Sequence, residues 1–268
     1  LTLIFIGVKF ENMKKPTIFV TNDDGIEAPG IRKLIDIVKP MGNVVVVAPD
    51  RHRSGTGHSI TIDYPLRIKK LAESVHYKEY ACNGLPVDCV KIGEKVVMGA
   101  KPDLLVSGIN HGSNAMVNVI YSGTMAAVIE GCMSQIPSIG FSLDSHAFDA
   151  DFDAAKAYIE KIIRMGLEQK LPGNSCLNVN IPAIPKEDIK GIKICRQGLG
   201  YWDESYEMRT DPRQTDYYWL KGKYVSLDGD RDTDEWALRN GYIAVVPVQF
   251  DLTHYKAMEA LRGLNGNE

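Results

Sequence analysis

The feature that most constrains this chain is a run of apolar residues, "TIFVT" at 17–21, followed by a helical stripe and a second apolar run, "VVVVA" at 44–48. Both runs are β-branched or aromatic without polar alternation, the pattern of strands buried on both faces. Between them Pro29 suits the first turn of a helix. Ile31, Leu34, Ile35 and Val38 then recur at i, i+3, i+4 and i+7, one apolar stripe for packing on a sheet, and Gly42 closes the helix. A strand, helix and strand of these lengths make a right-handed parallel crossover, which commits the chain to an α/β fold.

The alternation continues. "PDRHRSGTGHS", 49–59, reads as a long loop leaving the second strand, and "ITIDYPLRIKK" as an edge strand or hairpin. "LPVDCVKIGEKVV" reads as a helix, "PDLLVSGIN" at 102–110 as the third buried strand, and "HGSNAMVNVIYSG" as a loop. A helix of small residues, "TMAAVIEGCMSQ", precedes the strand "PSIGFSL"; an amphipathic helix over 152–168 and two short strands, "CLNVNIP" and "IKICRQG", follow. From residue 198 to 234 Tyr, Trp, Asp, Arg and Gly dominate without a helical stripe, which predicts an extended hairpin or arm. "GYIAVVPVQFDLTHY" closes the chain with a strand and a short helix. The expectation is one domain over 13–268, with a three-layer α/β core of mainly parallel sheet at about 13–197. The arm then spans about 198–240, and the closing strand and helix about 241–264.

The opening "LTLIFIGVKFEN" is apolar but too short to cross a bilayer, and it lacks a basic leader and a small-residue cleavage site. Met13-Lys14-Lys15 looks like a natural start, so residues 1–12 read as an N-terminal extension. The five cysteines form no C-x-x-C pair and sit in apolar contexts, which fits reduced buried thiols and a cytoplasmic location. A formal net charge of −3 supplies no basic field for a nucleic-acid polymer. A small anion remains open, because local dipoles or a metal can hold it.

In open parallel sheets, ligands bind beyond the carboxyl ends of the strands. Three such ends carry oxygen donors: Asp23 and Asp24 after the first run, Ser54 in the loop after the second, and Asn110 after the third. Two carboxylates, a hydroxyl and an amide carbonyl suit hard divalent ions such as Mg²⁺, Mn²⁺ or Ca²⁺. Gly25 lets the backbone turn so that neighbouring aspartates converge. Read singly, each has a plainer use: an aspartate as helix cap or Asx-turn, Ser54 as a turn residue, Asn110 as a partner for loop backbone.

"YSGTMAAVIEGC", 121–132, sets Ser122 to cap a helix whose first N–H groups, at Gly123 and Thr124, form an anion site suited to phosphate. The plainer reading is an ordinary serine cap with a glycine for close packing. "GIEAPGIR" lacks the Lys-[Ser/Thr] of a phosphate-binding P-loop, and no G-x-G-x-x-G follows a strand. "DGDRDTDE", 228–235, imitates an EF-hand loop but has Thr233 where glycine is required and Arg239 where the bidentate glutamate belongs, so it reads as a solvated acidic loop. His58 and His111 lie in the candidate loops as acids or phosphate donors, or simply as surface hydrogen-bonding residues; neither is assigned a catalytic role.

"TNDDGIEAPGIRKL", "VVVVAPDRHRSGTGHSIT", "CNGLPVDCV", "PDLLVSGINHGSN" and "VIYSGTMAAVIEG" together resemble the SurE family, the survival protein E nucleotidases, in consistent order over roughly residues 16 to 255. The resemblance implies a Rossmann-like core with a C-terminal part used in homodimer or homotetramer assembly. It implies one divalent ion per subunit, Mg²⁺ or Mn²⁺, held by Asp23, Asp24, Ser54 and Asn110. It also implies phosphate contacts from Ser122, Gly123 and Thr124 with Asn114 nearby. The implied activity is hydrolysis of nucleoside 5′- and 3′-monophosphates, in some members also of short polyphosphate. Beside it, metal-assisted hydrolysis is the expected mechanism, with Asp23, as ligand and base, the first candidate for orienting the attacking water. His58 stands where other members often carry a different polar residue, so nothing is carried over to it. A nucleotide sensor without turnover is the competing class, and a purely structural role is a third.

Overall fold

A computed structural model describes residues 15–265 except 148, 169, 170 and 173; residues 1–12, read above as an extension, lie outside the described residues. The strands are β1 (Thr17–Thr21), β2 (Asn43–Pro49), β3 (Ile68–Ser74), β4 (Tyr77–Cys82), β5 (Leu104–His111), β6 (Ser138–Leu143), β7 (Ser175–Ile181), β8 (Ile192–Ile194), β9 (Gly200–Thr210), β10 (Asp216–Ser226) and β11 (Ile243–Gln249). Among the described residues, nine of them form one sheet in the order β3-β4-β2-β1-β5-β6-β7-β11-β8, while β9 and β10 pair only with each other. β1, β2, β4, β5, β6 and β7 run parallel. β3 is antiparallel at one edge and β11 antiparallel beside β7.

Strand residues alternate between two cores. Ile18, Val20, Val44, Val46, Leu104 and Val106 pack with Ile31, Leu34 and Ile35 of α1 (Pro29–Val38). Ile159, Ile162 and Ile163 of a later helix, Lys156–Glu168, join the same core. Phe19, Val45, Val47 and Leu105 face the other way, toward Cys89 and Val90 of α2 (Pro86–Ile92). Apolar on both faces, the strands are covered on both, and the result is the three-layer Rossmann-like α/β architecture expected from their composition. α3 (Asn118–Tyr121) and α4 (Gly123–Met133) follow β5, and Met125, Val128 and Cys132 of α4 complete this second core. In chain order the remaining helices are α5, the Lys156–Glu168 helix, then α6 (Asp234–Arg239) and α7 (Tyr255–Ala260).

The chain steps from β1 outward through β2 to β4 and then returns to lay β5 on the other side of β1. That reversal opens a crevice at the carboxyl ends of β1 and β5, where open α/β sheets bind ligands.

Several local readings are corrected. "HYKEYACNG" supplies β4, a parallel strand that periodicity did not mark, because Glu79 is buried in an apolar register by its ion pair with Arg32 at 2.8 Å. Only from Ile68 is "ITIDYPLRIKK" a strand; before it the chain is pinned by side chains, with Thr61 N–H on Asp88 at 3.0 Å and Arg67 N–H on Asn83 at 2.7 Å. α1 ends at Val38, ahead of Gly42, and the 152–168 helix begins only at Lys156. The arm proper is the exposed β9–β10 hairpin, and within the stretch expected to belong to it α6 folds back, burying Ala237 and Leu238 under a Thr233 cap. All five cysteines are free and buried. Among the described residues no helix is long and apolar enough to cross a membrane.

Candidate functional site

β1 ends at the centre of the sheet, and the chain turns at once. Gly25 takes φ 101°, and a Cβ there would stand 3.1 Å from the Arg51 carbonyl carbon, so the turn needs glycine. Asn22 Nδ2 and the Ala28 N–H both donate to the Gly25 carbonyl, at 2.9 and 3.0 Å. The N-cap of α1 is Ala28, which makes no side-chain bond. Neither aspartate caps that helix, so both carboxylates are free for another use.

Asp23, only 3% exposed, reaches the start of α4, where the Thr124 hydroxyl donates to its Oδ1. A Cβ on Gly123 would lie 2.7 Å from Asp23 Cβ and 2.9 Å from Oδ2; the helix comes this close because residue 123 has no side chain. Asp24 reaches β5 instead, its Oδ2 accepting the His111 N–H at 3.1 Å and its Oδ1 lying 3.4 Å from His52 Nδ1. Burial, then the neighbouring Asp24 charge, push the Asp23 carboxyl up to about 6, with the Thr124 hydrogen bond pulling the other way. Among the described residues, His52 is the one basic side chain within ion-pair range of either carboxylate.

The loop after β2 is tied down on both sides of Ser54. The Arg53 N–H donates to the Asp23 carbonyl at 2.7 Å, the Arg53 guanidinium to the Asn83 carbonyl at 2.7 Å, and the Gly57 N–H to the Tyr121 carbonyl at 3.1 Å. Asn110, near the end of β5, donates Nδ2 to the Gly112 carbonyl at 2.8 Å and to the His111 carbonyl at 3.3 Å. With the amide nitrogen so committed, Oδ1 is the atom left to accept from or ligate something else. Asn114 donates Nδ2 to Ser142 Oγ at 2.9 Å and its backbone N–H to Asn180 Oδ1 at 2.8 Å; Asn178 Nδ2 donates back to its carbonyl at 2.8 Å.

Asp23, Ser54, Asn110, Asn114 and Ser122 line one cavity of about 320 Å³ at the carboxyl edge of the sheet. Ser122 caps α4, accepting the Met125 N–H at 3.0 Å, and still faces this cavity. Asp24, Gly123 and Thr124 are not among its lining residues. Thr124 is wholly buried with its hydroxyl spent on Asp23. Of the two candidate histidines, His111 lines the cavity and His58 does not. His58 Nε2 sits 3.1 Å from Glu130, a buried carboxylate that also pairs with Lys91, and the two partners hold Glu130 below the usual range.

The residues that sequence reading missed are of two kinds. Asn178 and Asn180 clamp the loop from below, and their signal was present: two asparagines at i and i+2 in an otherwise apolar strand, "CLNVNI". His146 and Trp202 also line the cavity, and neither lay near a recognised motif. Trp202 arrives from β9, and its Nε1–H donates to Asn118 Oδ1 at 2.9 Å. The base of the hairpin is tethered by Asp234, which accepts N–H bonds from Met116 and Gly198, both at 2.8 Å. The supposed solvated loop is thus partly a buried anchor.

Among the described residues, no three His, Cys, Asp or Glu side chains are placed to hold a metal together. A cation here would depend on the hydroxyl and amide oxygens beside the aspartates. Such an all-oxygen set, with a buried carboxylate repelled by its neighbour and unmatched by Lys or Arg, fits a hard divalent ion.

The family described as Survival protein SurE matches residues 18–204. The chain is similar to proteins named 5′-nucleotidase SurE. The one from Flavobacterium psychrophilum is 53% identical over 257 residues, covering 96% of this chain and 100% of that relative. The one from Christiangramia forsetii is 51% identical, also covering 96% and 100%. The crystal structure of the SurE protein from Aquifex aeolicus superposes with a TM-score of 0.80 at 39% identity, over 93% of this chain and 99% of that one.

Proposed function

The chain belongs to the SurE family, and from that premise we propose that it is a divalent-cation-dependent phosphomonoesterase acting on nucleoside monophosphates. The observation that carries this reading is the single cavity shared by Asp23, Ser54, Asn110 and Ser122, oxygen donors beside a helix N-terminus. Asp23, Asp24, Ser54 and Asn110 are the residues that would hold one Mg²⁺ or Mn²⁺. When bound, that ion supplies Lewis-acid stabilisation of phosphoryl charge and acidifies water.

The remaining chemistry belongs to the chain. Asp23, held in place by Thr124, orients the attacking water and accepts its proton. Ser122 and Asn114 receive the phosphoryl oxygens, and the positive end of α4 offsets the charge that builds on them. Gly123 and Thr124 serve this by letting the helix start approach Asp23. The leaving nucleoside oxygen needs a proton, and His111, His146 and Tyr121 are cavity-lining groups that carry one.

The exposed Tyr206, Tyr218, Trp219 and Leu220 of the hairpin support assembly into a homodimer or homotetramer. The testing experiment is phosphate release from 5′- and 3′-monophosphates and short polyphosphate, with Mg²⁺, Mn²⁺ or chelator. Release from 5′-AMP that chelator abolishes is expected. Saturable AMP binding without phosphate release would sink the hydrolase reading and leave a sensor.

A further inference from the structure

The geometry points to Trp202, at the root of the hairpin, as the platform on which the substrate's nucleobase stacks. This rests on the nucleoside monophosphate reading and adds a subsite to it. The donors that suit a phosphate and a cation, Asp23, Ser54, Asn110 and Ser122, occupy the same small cavity. A nucleoside extends well beyond a phosphoryl group, so its base must meet whatever borders that polar end. Trp202, 39% exposed as a residue, lines the cavity.

That ring is fixed rather than loose. Its Nε1–H donates to Asn118 Oδ1 at 2.9 Å, and its cross-strand neighbour Tyr224 packs edge-on, centroids 5.9 Å apart at 74°. An exposed indole already held in one orientation loses little freedom when a base lies on it. Asp234 strengthens this by binding the N–H of Gly198, just before β9, and that of Met116, just before α3. The segments that lead to Trp202 and to its partner Asn118 therefore share one anchor. Base-on-indole stacking is tolerant of base identity because every base offers a π face, and it grows with ring area.

The test is kcat and KM for 5′-AMP, 5′-CMP and β-glycerophosphate with wild type, Trp202→Ala and Trp202→Phe. Trp202→Ala should raise KM for AMP about tenfold, several times more than for β-glycerophosphate, with kcat moving less. The rise for CMP should be the smaller of the two nucleotides. Trp202→Phe should recover most of the loss, since it keeps a ring while giving up the Asn118 bond. Equal losses on AMP and β-glycerophosphate, or no recovery with Phe, would overturn the assignment and leave Trp202 a structural residue.

Indole fluorescence reads the stack without turnover. With Trp219→Phe and Trp236→Phe in place, AMP should quench the remaining indole saturably while β-glycerophosphate does not. Quenching without phosphate release sinks the hydrolase reading and keeps this one. Turnover without quenching does the reverse.

Discussion

Two acidic turns, "NDDG" at 22–25 and "DGDRDTDE" at 228–235, look alike in composition and behave oppositely. The second brings its own cation. Arg196 pairs with the largely covered Asp228 and, in solvent, with Asp230 at 3.0 Å and Asp232 at 3.1 Å. These hydrogen bonds hold the Asp228 carboxyl down at about 2 and push Arg196 up. The first is buried, repelled from within, and pushed the other way, to about 6 at Asp23. One cluster already carries an arginine among its carboxylates; among the described residues the other has no Lys or Arg within ion-pair range. Acidic density alone is therefore a poor sign of a cation site.

The largest expected break in this contrast comes from Asp23→Asn. Phosphate release should fall about 10²–10⁴-fold, and the rise in melting temperature that Mn²⁺ gives wild type should vanish. If the variant keeps that rise, the two turns are electrostatically equivalent and the cation site lies elsewhere.

Next in size is the pH response of the metal-free protein. A carboxyl raised from 3.8 unfolded to about 6 folded binds its proton more tightly when folded. Its contribution to stability is full below the lower value and is lost as pH rises through the upper one. About two pKa units correspond to roughly 3 kcal/mol. Urea unfolding between pH 4 and 8 should show wild type losing ground to Asp23→Asn by an amount of that order. Parallel curves would mean that Asp23 is not held protonated by burial.

Gly123→Ala should destabilise by about 1–3 kcal/mol, because its methyl must displace either Asp23 or the start of α4. It should also slow turnover, and a neutral variant would show that the close approach is not needed. Arg196→Ala should matter least. Two of its three partners are solvated, so a small drop in melting temperature that shrinks further in high salt is expected, with turnover near wild type. A loss as large as that of Gly123→Ala would make the two turns more alike than their burial suggests.

Legibility followed the range of the interaction. The first crossover, the helix at Pro29 and the glycine turn after Asp24 are written in neighbouring residues, and the structure has them where the pattern put them. β4 escaped because a buried glutamate paired with a helix arginine reads as a polar interruption. Asn178 and Asn180 carried a local signal with no way to say what they hold. Trp202 and Asp234 carried none, since their partners Asn118 and Met116 are 84 and 118 residues away along the chain.

The residues alone determined the fold class and the donor types: apolar runs demand burial on both faces, and oxygen-rich turns offer donors that suit hard ions. Only the tertiary structure decided which donors share a cavity, which aspartate is buried and which acidic turn already holds an arginine. Those properties depend on desolvation and on distances between segments far apart in sequence, and no local pattern encodes them.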